Sequence, residues 1–205
     1  MRTILWDFDG VILDSMKVRD FGFREIFKAY KKNDVDNLIN YHRINGGLSR
    51  YVKIVYFFEE ILNQKITSEE VQEYASKFSD IMRIKLINTE NLISESVSFI
   101  EDNYRNFNFH IVSGSDGNEL NFLCNELNIS KYFISIQGSP TPKNELVANL
   151  LEKHGYDINA TCLIGDSIND YEAAIVNNIS FYGFNNEDLY KSTENYIKSF
   201  LDFKF

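Results

Sequence analysis

Short apolar runs open and close the chain, and a long stretch with helical spacing lies between them. Residues Thr3 to Phe8 read TILWDF, rich in branched and aromatic side chains and ending in DGV, which predicts a strand feeding a loop. The run does not alternate, as expected of a strand covered on both faces. From about Met16 to Ile87 the spacing turns helical. Val18, Phe21, Ile26 and Phe27 define one stripe, Val52, Val55, Tyr56 and Leu62 a second, and Val71, Tyr74, Ala75, Phe78, Ile81 and Met82 a third. Gly46 and Gly47 break the first part from the second, and Ser68 with Glu69 and Glu70 marks a helix start.

At Phe109 short apolar runs return, each followed by a polar loop and an amphipathic stretch: FHIVSGS then ELNFLCNEL, FISIQGS then KNELVANLLEKHG, ATCLIGDS then YEAAIVNN. Strands alternating with helices predict a parallel sheet wrapped by helices. Ile179 to Phe184 adds a strand, and Tyr196 to Leu201 is expected to form a peripheral helix. The predicted fold class is therefore α/β, a Rossmann-like three-layer core with a parallel sheet and an inserted all-helical cap. Residues 1–15 and 88–205 form the core and residues 16–87 the cap. The insertion begins at the carboxyl edge of the sheet, where open parallel sheets bind ligands, so a lid is its natural role.

Composition narrows the picture further. The 205 residues are 44% hydrophobic and 25% charged, with only 10 glycines and 2 prolines, the profile of a globular domain without long disordered segments. A formal charge of -9 without a basic run argues against nucleic acid as a partner. Cys124 and Cys162 lack a CxxC spacing and read as buried thiols in a reducing compartment. No apolar run approaches the roughly 20 residues of a spanning helix, so no membrane association is expected. The opening MRTILWDFDG carries no leader pattern, and a cytoplasmic location follows by default.

The chemistry concentrates in four places. Asp7 and Asp9 flank Phe8, and in extended backbone both carboxylates project to one side. Asp166 follows the apolar run ATCLIG, and Asp170 lies one helical turn on; like charges at that spacing repel unless a cation joins them. A hard, oxygen-rich cluster of this kind suits Mg2+, whereas acids at a helix N-terminus are also favourable without an ion. Ser113, directly after HIV and followed by Gly114 and Ser115, presents a hydroxyl and backbone N-H groups to an anion at a strand-to-helix junction; the same tripeptide also serves as an ordinary cap. Lys143 opens a helix after SPTP, a place where a cation opposes the helix dipole and is better suited to holding an anion than to stability.

Taken in order, DFDGVILDS at residues 7–15, IVSGS at 111–115, Lys143 in PTPKNE and IGDSINDYEAA at 164–174 resemble the four motifs of the haloacid dehalogenase-like hydrolase superfamily. Within it the chain is similar to the branch of phosphoglycolate phosphatase and beta-phosphoglucomutase. That resemblance implies a Mg2+-dependent phosphatase acting through an aspartyl-phosphate. Asp7 would be the nucleophile and Asp9 the acid and base. Ser113, Gly114 and Lys143 would hold phosphoryl oxygens. Asp7, Asp9, Asp166, Asp170 and the Phe8 backbone carbonyl would be metal contacts. Mutase-like relatives commonly carry a histidine after the DS of the first motif; Arg19 stands in that neighbourhood here and lowers the case for a phosphosugar mutase. Asp9 argues against a dehalogenase.

In the cap, Arg19, Arg43, Arg50 and Lys53 are candidates to read a carboxylate or second phosphate, with RINGGLSR resembling a specificity loop. His42 reads as structural or exposed. The expected partner is a small phosphorylated metabolite, and the expected state a monomer or weak homodimer. A receiver-like or catalytically dead phosphate-binding module is the competing class, but a receiver has no reason to carry a large helical insertion after its first strand.

Overall fold

The first strand sits at the centre of the sheet although it comes first in the chain. A computed structural model describes residues 1–203. After β1 (Thr3–Trp6) come α1 (Met16–Ile26), α2 (Lys32–Ile44), α3 (Arg50–Tyr56), which runs on into one π-helical turn at Phe57–Ile61, and α4 (Ser68–Lys85). The remainder runs α5 (Ser94–Asn103), β2 (Asn108–Asp116), α6 (Gly117–Glu126), β3 (Ser135–Ser139), α7 (Lys143–His154), β4 (Thr161–Gly165), α8 (Ile168–Val176), β5 (Ser180–Phe184), α9 (Glu187–Ser192) and β6 (Tyr196–Ile197). The sheet order is β3-β2-β1-β4-β5-β6, and every pairing is parallel. The chain fills one side of β1 and then crosses to the other, so the topological switch lies between the carboxyl ends of β1 and β4, the position where such sheets bind ligands.

All four residues of β1 are buried, as its unbroken apolar run requires. Ile4 and Trp6 join the cluster containing Ile100 of α5 and Leu120, Leu123 and Cys124 of α6, while Leu5 joins Val147 and Leu150 of α7 and Ala174 of α8. Period-two alternation therefore feeds two separate helical layers. Both cysteines are buried and free.

Between β1 and β2 the four helices α1–α4 form the insertion, and its two connections to the sheet are paired. Leu13 bridges Leu92 in antiparallel fashion, with Asp14 N donating to Asn91 O at 2.8 Å and Ile93 N to Ile12 O at 2.9 Å. The outgoing and returning chain thus make a short two-stranded stalk. Helix α4 starts with a capping box in which Thr67 and Glu70 satisfy each other's backbone N-H.

Three local expectations are corrected. Tyr196–Leu201 is not a helix: Tyr196 and Ile197 pair with Gly183 and Phe184. Ile197 and Phe200 are both buried, a three-residue spacing that mimics a helix, but the open edge of β5 offers backbone partners that win. Phe21 and Val52 are exposed rather than core. The buried face of α1 carries Arg19, Asp20, Gly22 and Phe23 instead, because Gly22 packs so closely on Phe78 and Met82 of α4 that a Cβ would collide. Finally, β2 does not end after Val112; it continues through Ser113, Gly114 and Ser115 with a register shift against β3, and the cap of α6 is Asp116.

Candidate active site

Two strand ends and two helix starts bring three carboxylates and one ammonium together at the switch point. Asp7 N donates to Ile164 O at 2.9 Å, which carries the β1–β4 ladder one residue past Trp6 and fixes the Asp7 side chain above the sheet edge. Behind it Gly10 takes φ +78°, and a Cβ there would collide with Asp166, so only glycine lets the loop pass. Asp166 follows β4. Asp170 is the third residue of α8 and shares a capping box with Ser167, its Oδ2 accepting from Ser167 N at 3.0 Å and Ser167 Oγ at 2.6 Å. Its carboxylate lies against Gly165, where no side chain fits. Lys143, at the start of α7, is buried and donates to Asp7 Oδ1 at 2.7 Å and to Asp170 Oδ1.

Asp7, Asp166 and Asp170 each offer an oxygen, all within 4.8 Å of one another. Burial, then repulsion from Asp170, pushes the Asp7 carboxyl up to about 7 against the pull of Lys143. Burial and the charges of Asp7 and Asp170 raise Asp166 well above the carboxylate range. One lysine does not neutralise two buried acids and a third that is partly buried. A hard divalent cation with oxygen preference, such as Mg2+, fits this donor set in charge and chemistry.

Asp9 occupies a different environment. Its Oδ1 accepts from Ser15 Oγ at 2.5 Å and Arg19 Nε at 2.7 Å, and its Oδ2 from Ser115 Oγ at 2.5 Å. Burial alone would raise this carboxyl; Arg19 and the two hydroxyls outweigh it and hold the group below its usual range. Arg19 reaches further, with Nη2 donating to Ser115 Oγ at 2.8 Å and Nη1 to Glu119 Oε1 at 3.2 Å. Glu119, fully buried on α6, also accepts from Arg50 Nη1 at 2.6 Å through Oε2. One core carboxylate therefore holds an arginine from α1 and another from α3.

Asp7, Asp9, Ser113, Gly114 and Ser115 share a cavity with Arg19, Phe23, His42, Gly46, Gly47, Arg50, Lys53 and Phe78. Its volume is about 20 Å³, where a single water needs roughly 10–15 Å³, so the helical insertion is closed upon the sheet. The closest approach is at Gly114, where a Cβ would collide with the Gly47 carbonyl. Ser113 is buried and its Oγ accepts from Ser115 N at 3.1 Å.

The structure does not bring every candidate together. The Phe8 carbonyl, expected to touch metal, accepts from both Ile12 N and Leu13 N at 2.9 Å and is used up in the turn. Asp9 lies outside the carboxylate triad found among the described residues, since its oxygens are taken by Ser15, Arg19 and Ser115. Arg19 lines the cavity, but its donors are committed to Asp9, Ser115 and Glu119 rather than left for substrate; Arg50 retains Nη2 without a partner. Arg43 pairs with Asp20 at 2.6 Å on a half-exposed surface, away from the cavity. Of the two readings of His42, structural or exposed, its burial rules out the exposed one. Ser15 and Ser115 support Asp9 directly and Glu119 does so through Arg19, and none of the three is a sequence candidate for that role. Ser15 and Ser115 stand within the quoted motifs, whereas nothing local marks Glu119.

Comparison with known proteins places the family and the fold. The model of the haloacid dehalogenase-like hydrolase family matches residues 4–184, and the chain belongs to that family. Among solved structures it is similar to beta-phosphoglucomutase from Clostridium difficile, with TM-score 0.77, 20% identity and coverage of 100% of this chain and 94% of that one. It is also similar to a predicted phosphoglycolate phosphatase from Haemophilus somnus, with TM-score 0.75, 16% identity and coverage of 98% and 96%. A third is a hydrolase of the same family from Bacillus subtilis, described as bound to magnesium and showing interdomain movement, with TM-score 0.71, 16% identity and coverage of 97% and 94%. No curated protein sequence matches. Among the described residues no helix is long and apolar enough to cross a membrane.

Proposed function

We propose that the protein is a Mg2+-dependent phosphatase that hydrolyses a small phosphomonoester through an aspartyl-phosphate on Asp7, with residues 16–87 acting as a mobile cap over the core. One observation carries this reading: Asp7, gripped by Lys143 inside a crowded carboxylate triad, faces the same closed cavity as a separately supported Asp9.

In this reading an Asp7 oxygen attacks phosphorus, a P–O bond to Asp7 forms and the P–O bond to the alcohol breaks. Asp9, which its donors favour as a carboxylate, takes up a proton before this step and gives it to the departing oxygen. Asp9, now the carboxylate that its partners favour, removes a proton from water as that water attacks the phosphorus. Inorganic phosphate leaves and Asp7 is restored. Ser113 and the backbone at Gly114 hold phosphoryl oxygens, and Lys143 offsets charge as the dianion arrives. Asp7, Asp166 and Asp170 would hold Mg2+, which would supply charge neutralisation and orientation of the phosphoryl group. Because the cavity admits little more than a water, the cap moves to admit substrate and then closes over it in a less compact arrangement than this one.

The test is phosphate release from a panel of small phosphomonoesters with and without Mg2+. Wild-type protein should release phosphate only with the ion, and Asp7→Asn should lower turnover by about 10⁴-fold or more. Turnover that survives in Asp7→Asn counts against the mechanism. Conversion of a glucose 1-phosphate to an isomer without phosphate release would assign a mutase instead.

A further inference from the structure

The mechanism leaves one buried cation without a task. Lys53, on α3, is 3% exposed and lines the cavity. Its ammonium makes one hydrogen bond, to the Gly46 carbonyl at 3.0 Å, and forms no ion pair among those of the described residues. Beside it are other polar atoms in the same state. Neither ring nitrogen of His42 has a hydrogen-bond partner, nor does Nη2 of Arg50, although both residues are buried and line the same wall. Three nearly fully buried side chains from α2 and α3 thus carry unpartnered polar atoms or a singly bonded ammonium on the wall of one small space, with His42 Nε2 3.9 Å from Asp20 Oδ1.

The charge count on this wall is uneven. Arg19, Arg50 and Lys53 contribute three cations, against the carboxylates of Asp9 and Glu119, which Arg19 and Arg50 already engage. An unpaired buried charge is costly. Burial, aided by the charge of Arg19, pushes Lys53 down to about 7, and burial with the charges of Lys53 and Arg19 pushes His42 down to about 2. A neutral imidazole keeps one N-H to donate and adds no further charge. An incoming anion would pair the lysine and satisfy the open donors of Arg50 and His42 at once.

We infer that Lys53, with Arg50 Nη2 and His42, forms a subsite for a second anionic group on the leaving alcohol, so that the substrate is a short phosphorylated hydroxy acid or a compact bisphosphate rather than a neutral phosphomonoester. This rests on the phosphatase reading above and adds the chemistry of the alcohol. The subsite belongs to the insertion, so the second anion is recognised by the moving part while the first is held by the sheet.

A matched pair of esters decides the matter: a phosphorylated two- or three-carbon hydroxy acid and the same compound with its carboxylate replaced by a primary amide. With Mg2+ present, kcat/KM for the acid should exceed that for the amide by at least about tenfold. Lys53→Met, which retains the stem volume, should lower kcat/KM for the acid by at least about thirtyfold and leave the amide within about threefold, so the amide also reports on folding. Equal rates for acid and amide, or an equal loss on both in the variant, overturn the inference and leave the phosphatase intact. Should neither ester turn over, calorimetric binding of both to Asp7→Asn protein decides separately. Tighter binding of the acid, lost when Lys53→Met is added, keeps the subsite while the catalytic reading falls; equal binding overturns the subsite as well.

Discussion

Asp7 and Asp9 are separated by one residue and differ in almost everything that sets a carboxyl's behaviour. Asp7 is surrounded by other acids and is pushed up to about 7 by burial and Asp170; Asp9 is surrounded by donors and is held down by Arg19, Ser115 and Ser15 against its burial. Environment, not residue type, separates the proposed roles. Replacing Arg19 by Met removes the main counterweight to burial. In the proposed mechanism Asp9 gives a proton in the step that kcat/KM reports, so the basic limb of the kcat/KM–pH profile should move to higher pH, since Asp9 would keep its proton to a higher pH. A limb that stays in place would show that Arg19 does not set this carboxyl.

At the same scale, what the sequence discloses depends on how far apart the partners lie along the chain. Asp170 and Ser167 form a contact three residues apart, and the acidic pair in GDSIND announces it. Glu119 meets Arg19 across 100 residues and Arg50 across 69, and no local pattern signals either pairing. The Phe8 carbonyl misleads for another reason: its direction depends on the turn at Gly10, a backbone detail that side-chain identity does not encode.

Elements were readable where periodicity and length agreed. The strands at Phe109, Ile136, Cys162 and Phe181 are bounded by turn residues and followed by helices of nine or more residues in three of the four cases, so both signals coincide. Tyr196–Ile197 is too short for any period, and only the free edge of β5 decides it. In α1 and α3 the apolar stripe competes with a face that buries Arg19, Arg50 and Lys53, so hydrophobicity alone points the wrong way for Phe21 and Val52. Contact between elements also yields a prediction. Because Gly114 at the end of β2 touches Gly47 in the α2–α3 loop, Gly114→Ala should hold the cap slightly open. Steady-state kinetics should show kcat/KM lower by about a hundredfold, with only a few degrees' change in Tm, since the strain is relieved by moving the cap rather than by unfolding. A large loss of Tm without a kinetic effect would oppose this account.

For the whole molecule, the buried acids couple stability to pH and to metal. Without metal, folded Asp7 holds its proton up to about 7, against 3.8 when unfolded. Between those values the folded state binds more protons than the unfolded state, so stability is full below about pH 4 and is lost as pH rises towards 7. The slope reaches about 1.4 kcal/mol per pH unit for one group, and Asp166 acts in the same direction. Calorimetry on metal-free protein should show this fall from Asp7 titration, reduced in Asp7→Asn. Saturating Mg2+ at about 100 Kd should restore about 2.7 kcal/mol, with a larger gain in Tm at pH 8 than at pH 5, where protons compete for the same oxygens. A gain independent of pH would argue against a carboxylate-bound ion.

The stalk formed by Leu13 and Leu92 has a kinetic consequence. In the proposed cap motion, two chain segments joined by a bridge and flanking backbone hydrogen bonds would bend together, so that the helices would swing about one line instead of drifting on two independent tethers. Substrate admission, exclusion of bulk water and departure of phosphate would then all run along a single coordinate. A crosslink that stiffened the ribbon would slow entry and exit in the same proportion, leaving the bond-making step at Asp7 untouched.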